Sequence, residues 1–218
     1  MSASGGAAAG YVPPFRVAER TRLSGGAEAR VGLGRVEVGA RWEWLRDTTA
    51  AGEPASGPGD LRLGTRVRVV CVATVCGGLG WEAKLPNATD EGELGTDETD
   101  VIFGGTVTWT GEHVGAEVDA GLAVLGNPLR FANQDDVPLL RGRLRATLGP
   151  VTLAPGVSAD LPTSRNPARI EAGGVVSAGS RWFAALEGAA GLTPAAADWR
   201  AVATVGWRGA LPDAPSGE

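Results

Sequence analysis

From Val36 to Arg208 apolar and polar residues alternate with a period of two, and glycine or proline breaks the pattern at strand-and-turn intervals. Two-residue alternation belongs to strands with two unlike faces. In the best stretch Val36, Val38, Ala40, Trp42 and Trp44 share one face, while Glu37, Gly39, Arg41 and Glu43 share the other. Leu61, Leu63, Thr65 and Val67 oppose Arg62, Gly64, Arg66 and Arg68. The pattern recurs to the last stretch, where Trp199, Ala201, Ala203, Val205 and Trp207 oppose Arg200, Thr204 and Arg208. The alanine-rich pieces (Ala7 to Ala9, Ala195 to Ala197) are too short for stable helices.

Ten stretches carry this pattern. Two weaker ones, Phe15 to Leu23 and Ala27 to Leu33, are separated by Ser24-Gly25-Gly26, which reads as a turn. The connections alternate between long (47–59, 86–97, 127–136, 162–166, 193–197) and short (70–77, 110–113, 149–150, 179–181). That rhythm predicts an all-β fold: an up-and-down antiparallel transmembrane β-barrel of about 12 strands, with ten as the lower count. Its loops gather at one rim, and its tight turns and both termini at the other. The barrel is expected over 15–208, with a flexible N-terminal segment at 1–14 and a flexible C-terminal tail at 209–218.

The same alternation suits a soluble barrel with its apolar face inward or a membrane barrel with that face on lipid. Three features favour the membrane. All seven tryptophans fall on the apolar face. Trp109, Trp182 and Trp207 lie toward the short-turn rim and Trp42, Trp44 and Trp199 toward the loop rim, as aromatic girdles require. That face is rich in alanine and poor in the bulky fillers of a close-packed soluble core. The polar face mixes arginine with acids along nearly every strand, as a lumen would. The N-terminus, MSASGGAAAG, has no basic or long apolar region of its own. It is expected to follow a signal peptide that is removed or lies upstream, which fits the bacterial outer membrane.

Residues 59–69 (GDLRLGTRVRV) and 79–109 (LGWEAKLPNATDEGELGTDETDVIFGGTVTW) carry motifs. They are Asp60-Leu61-Arg62-Leu63-Gly64, then Lys84-Leu85-Pro86, then an acidic glycine-containing loop ending in Gly95-Thr96 with Asp100. This order resembles the outer-membrane transporter family labelled after the MetA pathway of phenol degradation. The resemblance implies a Gram-negative outer-membrane barrel passing hydrophobic small molecules.

The polar face supplies the candidate site. Arg41, Arg62, Arg66, Arg68, Lys84, Arg141, Arg143, Arg145, Arg169 and Arg200, with Glu82, Glu117, Asp119, Asp160, Glu171 and Glu187, are expected to line the lumen. Arg35, Glu37 and Glu43 extend the set. Such a lumen forms either a polar pathway favouring anions or a charge-paired plug that holds the barrel round. Cys71 and Cys76 flank a short turn and are expected to form a disulfide in an oxidising compartment, with reduced thiols as the alternative.

Catalysis has little to work with. The single histidine, His113, sits in a turn, and Asp135-Asp136 falls at the opposite rim. The acids Asp90, Glu91, Glu93, Asp97, Glu98 and Asp100 lack EF-hand spacing and read as a solvated loop. The net charge of −5, without a basic cluster, argues against nucleic acid. No enzyme activity, metal or cofactor is expected. The predicted function is a passive channel or transporter for small molecules, with the bilayer and a solute as partners. The alternatives are a structural barrel with a plugged lumen and a soluble all-β binding protein.

Overall fold

The computed structural model describes residues 2–12, 20–49, 55–87, 99–125, 136–162, 167–197 and 199–210. Among these residues twelve strands form, β1 (Ser2–Val12), β2 (Arg20–Leu33), β3 (Val36–Thr49), β4 (Ala55–Val72), β5 (Val75–Leu85) and β6 (Asp100–Thr110) in the first half. The second half adds β7 (Val114–Val124), β8 (Asp136–Leu148), β9 (Val151–Asp160), β10 (Arg169–Gly179), β11 (Trp182–Gly191) and β12 (Trp199–Ala210). Each strand pairs antiparallel with its sequence neighbours, and β1 pairs with β12, so the sheet closes on itself. Closure leaves no unpaired edge, which lets a sheet with one apolar face stand outside water.

The N-terminal boundary differs from the sequence reading. Residues expected to form a flexible segment make β1, in register with β12 from Ser2↔Ala210 to Tyr11↔Ala201. SASGGAAAG shows no contrast between alternate positions, so periodicity has nothing to detect there. The expected turn at Ser24-Gly25-Gly26 is strand as well: β2 runs unbroken to Leu33. A Cβ on Gly26 would sit 2.4 Å from the Trp42 carbonyl oxygen, so glycine here permits close strand approach instead of a turn. Gly209 and Ala210, assigned to the tail, end β12. Residues 13–19 and 211–218 lie outside the described residues.

The Gly149-Pro150 turn falls where the punctuation placed it, while the turn expected over 70–77 narrows to Ala73-Thr74. Gly34-Arg35 joins β2 to β3, so Arg35 leaves the predicted lumen set, and Gly149-Pro150 joins β8 to β9. Both glycines adopt positive φ (66° and 61°), which a two-residue hairpin turn demands. Ala73 has φ 51° in the β4–β5 turn, a conformation disfavoured for an L side chain. One register step below that turn Cys71 faces Cys76, and the two form a disulfide. A register shift between Arg68 and Val70 makes this possible. Strict alternation would put Cys71 on the face of Leu63 and Val67; the extra residue turns it to the face of Cys76 and Gly78. Closing so short a loop stabilises by about 2 kcal/mol on chain-entropy grounds. Cys71→Ser with Cys76→Ser is therefore expected to lower unfolding stability by about that amount. Denaturant titration with and without reductant checks it: reductant should weaken the parent protein and leave the double variant unmoved.

The apolar face is outward. Val38, Val67, Leu79, Val118, Leu144, Val157, Val176 and Val205 are all exposed. No large side chain among the described residues is fully buried. The apolar-inward packing of the soluble alternative does not form. All seven tryptophans lie on this outer face. Trp109 is the last residue but one of β6, and Trp182 pairs with Trp207 across β11 and β12, all on the turn side. Trp42 and Trp44 lie toward the loop end of β3 with ring centroids 6.3 Å apart, and Trp199 opens β12. The Trp44 indole N–H donates to Ser56 Oγ at 3.0 Å, so its ring stays on the apolar face while its polar atom is satisfied.

Candidate lumen site

Inside the barrel a cavity of about 820 Å³ remains between the inward side chains. Of the predicted set, Arg41, Arg66, Arg141, Arg143, Arg169 and Arg200 line it. So do the acids Glu117, Asp119, Asp160, Glu171 and Glu187. Arg62, Arg68, Glu82, Lys84 and Arg145 do not border it but share the inward face by register: Arg62 stands opposite Arg41 and Lys84, Arg68 opposite Gly78, and Gly115 opposite Arg145. Sequence reasoning left out Glu28, Arg30 and Phe183, which also line the cavity. Glu28 and Arg30 alternate with Ala27, Ala29 and Val31, a signal diluted by the supposed turn just before them.

Most lumen charges are committed to partners. Arg200 holds Glu171 at 2.9 Å and Glu187 at 2.7 Å. Arg62 holds Glu82 at 2.8 Å. Arg30 pairs with Glu28 and reaches Glu37 at 3.4 Å, and Arg41 pairs with Glu43. At the loop end, Lys84 lies 2.6 Å from Asp100 and 3.7 Å from Asp60, buried at 8% exposure. Asn87 joins this knot through its backbone N–H, which donates to Asp60 at 3.3 Å.

The β8 row is arranged differently. Arg141, Arg143 and Arg145 point inward at every second position, roughly 6.6–7 Å apart along the strand. Register sets Arg141 opposite Asp119 and Arg143 opposite Glu117. Asp119 already accepts a hydrogen bond from the Thr106 hydroxyl. Among the described residues no ion pair within 4.0 Å closes on any of the three arginines. Arg141 and Arg143 border the cavity, each with a β7 acid opposite in register but beyond salt-bridge distance.

His113 is exposed in the β6–β7 turn beside Glu112, 3.8 Å away, while Asp136 opens β8 at the other end of the barrel. Asp135 and the loop acids Asp90, Glu91, Glu93, Asp97 and Glu98 lie outside the described residues. Asp100 is described, as the partner of Lys84.

No family model matches this chain, and no curated protein matches it in sequence. Solved structures do match. The chain is similar to the NanC porin in a rhombohedral crystal form, with 10% identity, 95% of this chain and 100% of that one covered, and a TM-score of 0.65. It is similar to the KdgM porin in complex with disordered oligogalacturonate, with 7% identity, 95% and 99% covered, and a TM-score of 0.63. A second KdgM porin structure gives 8% identity, 94% and 99% covered, and a TM-score of 0.59. At such identities the likeness is one of fold: an all-β, up-and-down barrel of the porin kind.

Proposed function

We propose that this chain is a bacterial outer-membrane β-barrel that passively conducts small solutes and favours anions. The observation that carries the reading is the inward row Arg141, Arg143 and Arg145: three like charges on one strand, with Glu117 and Asp119 opposite two of them on β7 but no ion pair within 4.0 Å among the described residues, while Glu171, Glu187, Glu28 and Glu43 elsewhere on the wall are paired. Uncommitted positive charge along a low-dielectric wall raises the local concentration of anions. The outward apolar face and its tryptophans support the membrane setting. The likeness to porin barrels supports a channel over a catalyst. One of those porins was solved with oligogalacturonate; a sugar carboxylate of that kind would meet the β8 arginines here.

The resemblance to the MetA-pathway family belongs to this proposal too. Its motif residues Asp60, Lys84 and Asp100, far apart in sequence, meet in one ion cluster at the loop rim. The motif therefore reads as an anchor for the loop between β5 and β6, compatible with more than one solute.

Planar-bilayer recording in potassium chloride is the test. Discrete conductance with a reversal potential displaced toward chloride supports the channel; no conductance from correctly folded protein rejects it. The membrane setting has its own check. Ala120 and Val176 lie near mid-strand on the outer face, and Val176 is 49% exposed. Arginine at either position is expected to cost about 2–4 kcal/mol in a bilayer. Equilibrium unfolding from lipid vesicles measures this, and unchanged stability in both variants would place these residues away from hydrocarbon.

A further inference from the structure

The cavity wall carries one feature that ion conduction does not require. Among the described side chains, Phe183 on β11 is the only aromatic ring on the lumen face; the tryptophans and Phe103 are on the outside. Phe183 borders the cavity near the short-turn end, one residue into its strand. Its register partners are Gly179 on β10 and Gly206 on β12, and Gly206 in turn faces Gly6 on β1. A glycine thus stands on each side of the ring, so neither register partner puts a side chain against it.

What does cover it is Arg208, also a cavity residue, whose guanidinium carbon lies 4.2 Å from the ring centroid. The acids nearest along these strands are already occupied: Glu187 and Glu171 by Arg200, and Glu28 by Arg30. Among the described residues Arg208 has no carboxylate within salt-bridge distance. A ring face holds a guanidinium in place through its quadrupole without neutralising it and without using its N–H donors. The planar fork stays free to bind a carboxylate with two parallel hydrogen bonds. An acid in place of Phe183 would fix the arginine equally well but cancel its charge.

We propose that Phe183 and Arg208 form a docking station for planar carboxylates at the short-turn mouth of the lumen, separate from the β8 arginine row. This rests on the channel reading for its purpose, since it places a binding step at one mouth of the conduction path. Flat carboxylates gain twice there, from the guanidinium fork and from the open flank of the ring. Small carboxylates without a flat body gain only the first.

Sodium benzoate and sodium acetate are the probes. Protein folded in detergent micelles, with phenylalanine rings isotopically labelled, is titrated with each and followed by NMR; Phe183→Leu identifies the ring signal. Saturable benzoate-induced shifts of the Phe183 ring, at least threefold tighter than for acetate, are expected. Arg208→Gln should weaken benzoate binding at least tenfold, and Phe183→Leu, read at the Arg208 side-chain N–H signals, at least threefold, with Phe183→Trp restoring it. Unshifted Phe183 signals in the parent protein, or parent-like titration in folded Arg208→Gln or Phe183→Leu, would overturn the station. Potassium chloride conductance of the same parent preparation addresses the channel reading separately. Benzoate binding without conductance would remove the channel and leave the site; conductance without a benzoate response would do the reverse.

Discussion

Lys84→Ala is expected to destabilise the barrel by about 3–5 kcal/mol, the cost of breaking a buried ion cluster from one side. The Lys84 ammonium lies between Asp100 at 2.6 Å and Asp60 at 3.7 Å, and its side chain is 9% exposed against 16% and 13% for theirs. Removing the cation takes from two nearly buried carboxylates a positive charge that lies 2.6 and 3.7 Å away. Lys84→Arg keeps the charge and should retain most of the stability. Replacing all three with neutral groups (Asp60→Asn, Lys84→Met, Asp100→Asn) removes attraction and repulsion alike and should cost far less than the single alanine change. Urea titration of the four proteins in lipid vesicles gives the order. A parent-like Lys84→Ala would show that the cluster anchors nothing.

This cluster also shows where sequence reasoning stops. Alternation revealed that Lys84 shares a face with Glu82, and Asp100 with Thr106, because period two is a property of each strand alone. It could not reveal that Lys84 stands opposite Asp100, which depends on register across a connection of 14 residues from Pro86 to Thr99. Nor could it bring Asp60 into the same knot, since β4 carries an irregularity opposite Trp42 and Trp44. The shift at Val69 is silent in the same way: valine is as much at home in a bulge as in regular strand, yet it decides which face Cys71 joins. Phe183 was within reach of the alternation, lying next to outward Trp182, but a single ring among small residues gives no periodic signal. The faces were legible because burial contrast is local; cross-strand partners were not, because register is set by the whole closed sheet.

Replacing Arg141, Arg143 and Arg145 together by glutamate is expected to turn anion preference into cation preference. The change amounts to six units of charge along one wall. In water one unit charge acts on an ion about 7 Å away with about 0.6 kcal/mol. Salt reduces this over a Debye length of about 8–10 Å at physiological strength. Even after such screening the sum should exceed the 1.4 kcal/mol that corresponds to about a tenfold change in permeability ratio. Reversal potentials across a potassium chloride gradient report it directly, with a change of sign as the expected outcome. Three glutamates would face Glu117 and Asp119 on β7, and like charges directly opposite weaken strand pairing. The glutamine triple variant avoids that repulsion and should bring selectivity close to neutral without inverting it. Parent-like selectivity in both folded variants would remove the β8 row from the conduction path, because a wall charge that ions pass closely cannot be reversed without altering which ions pass.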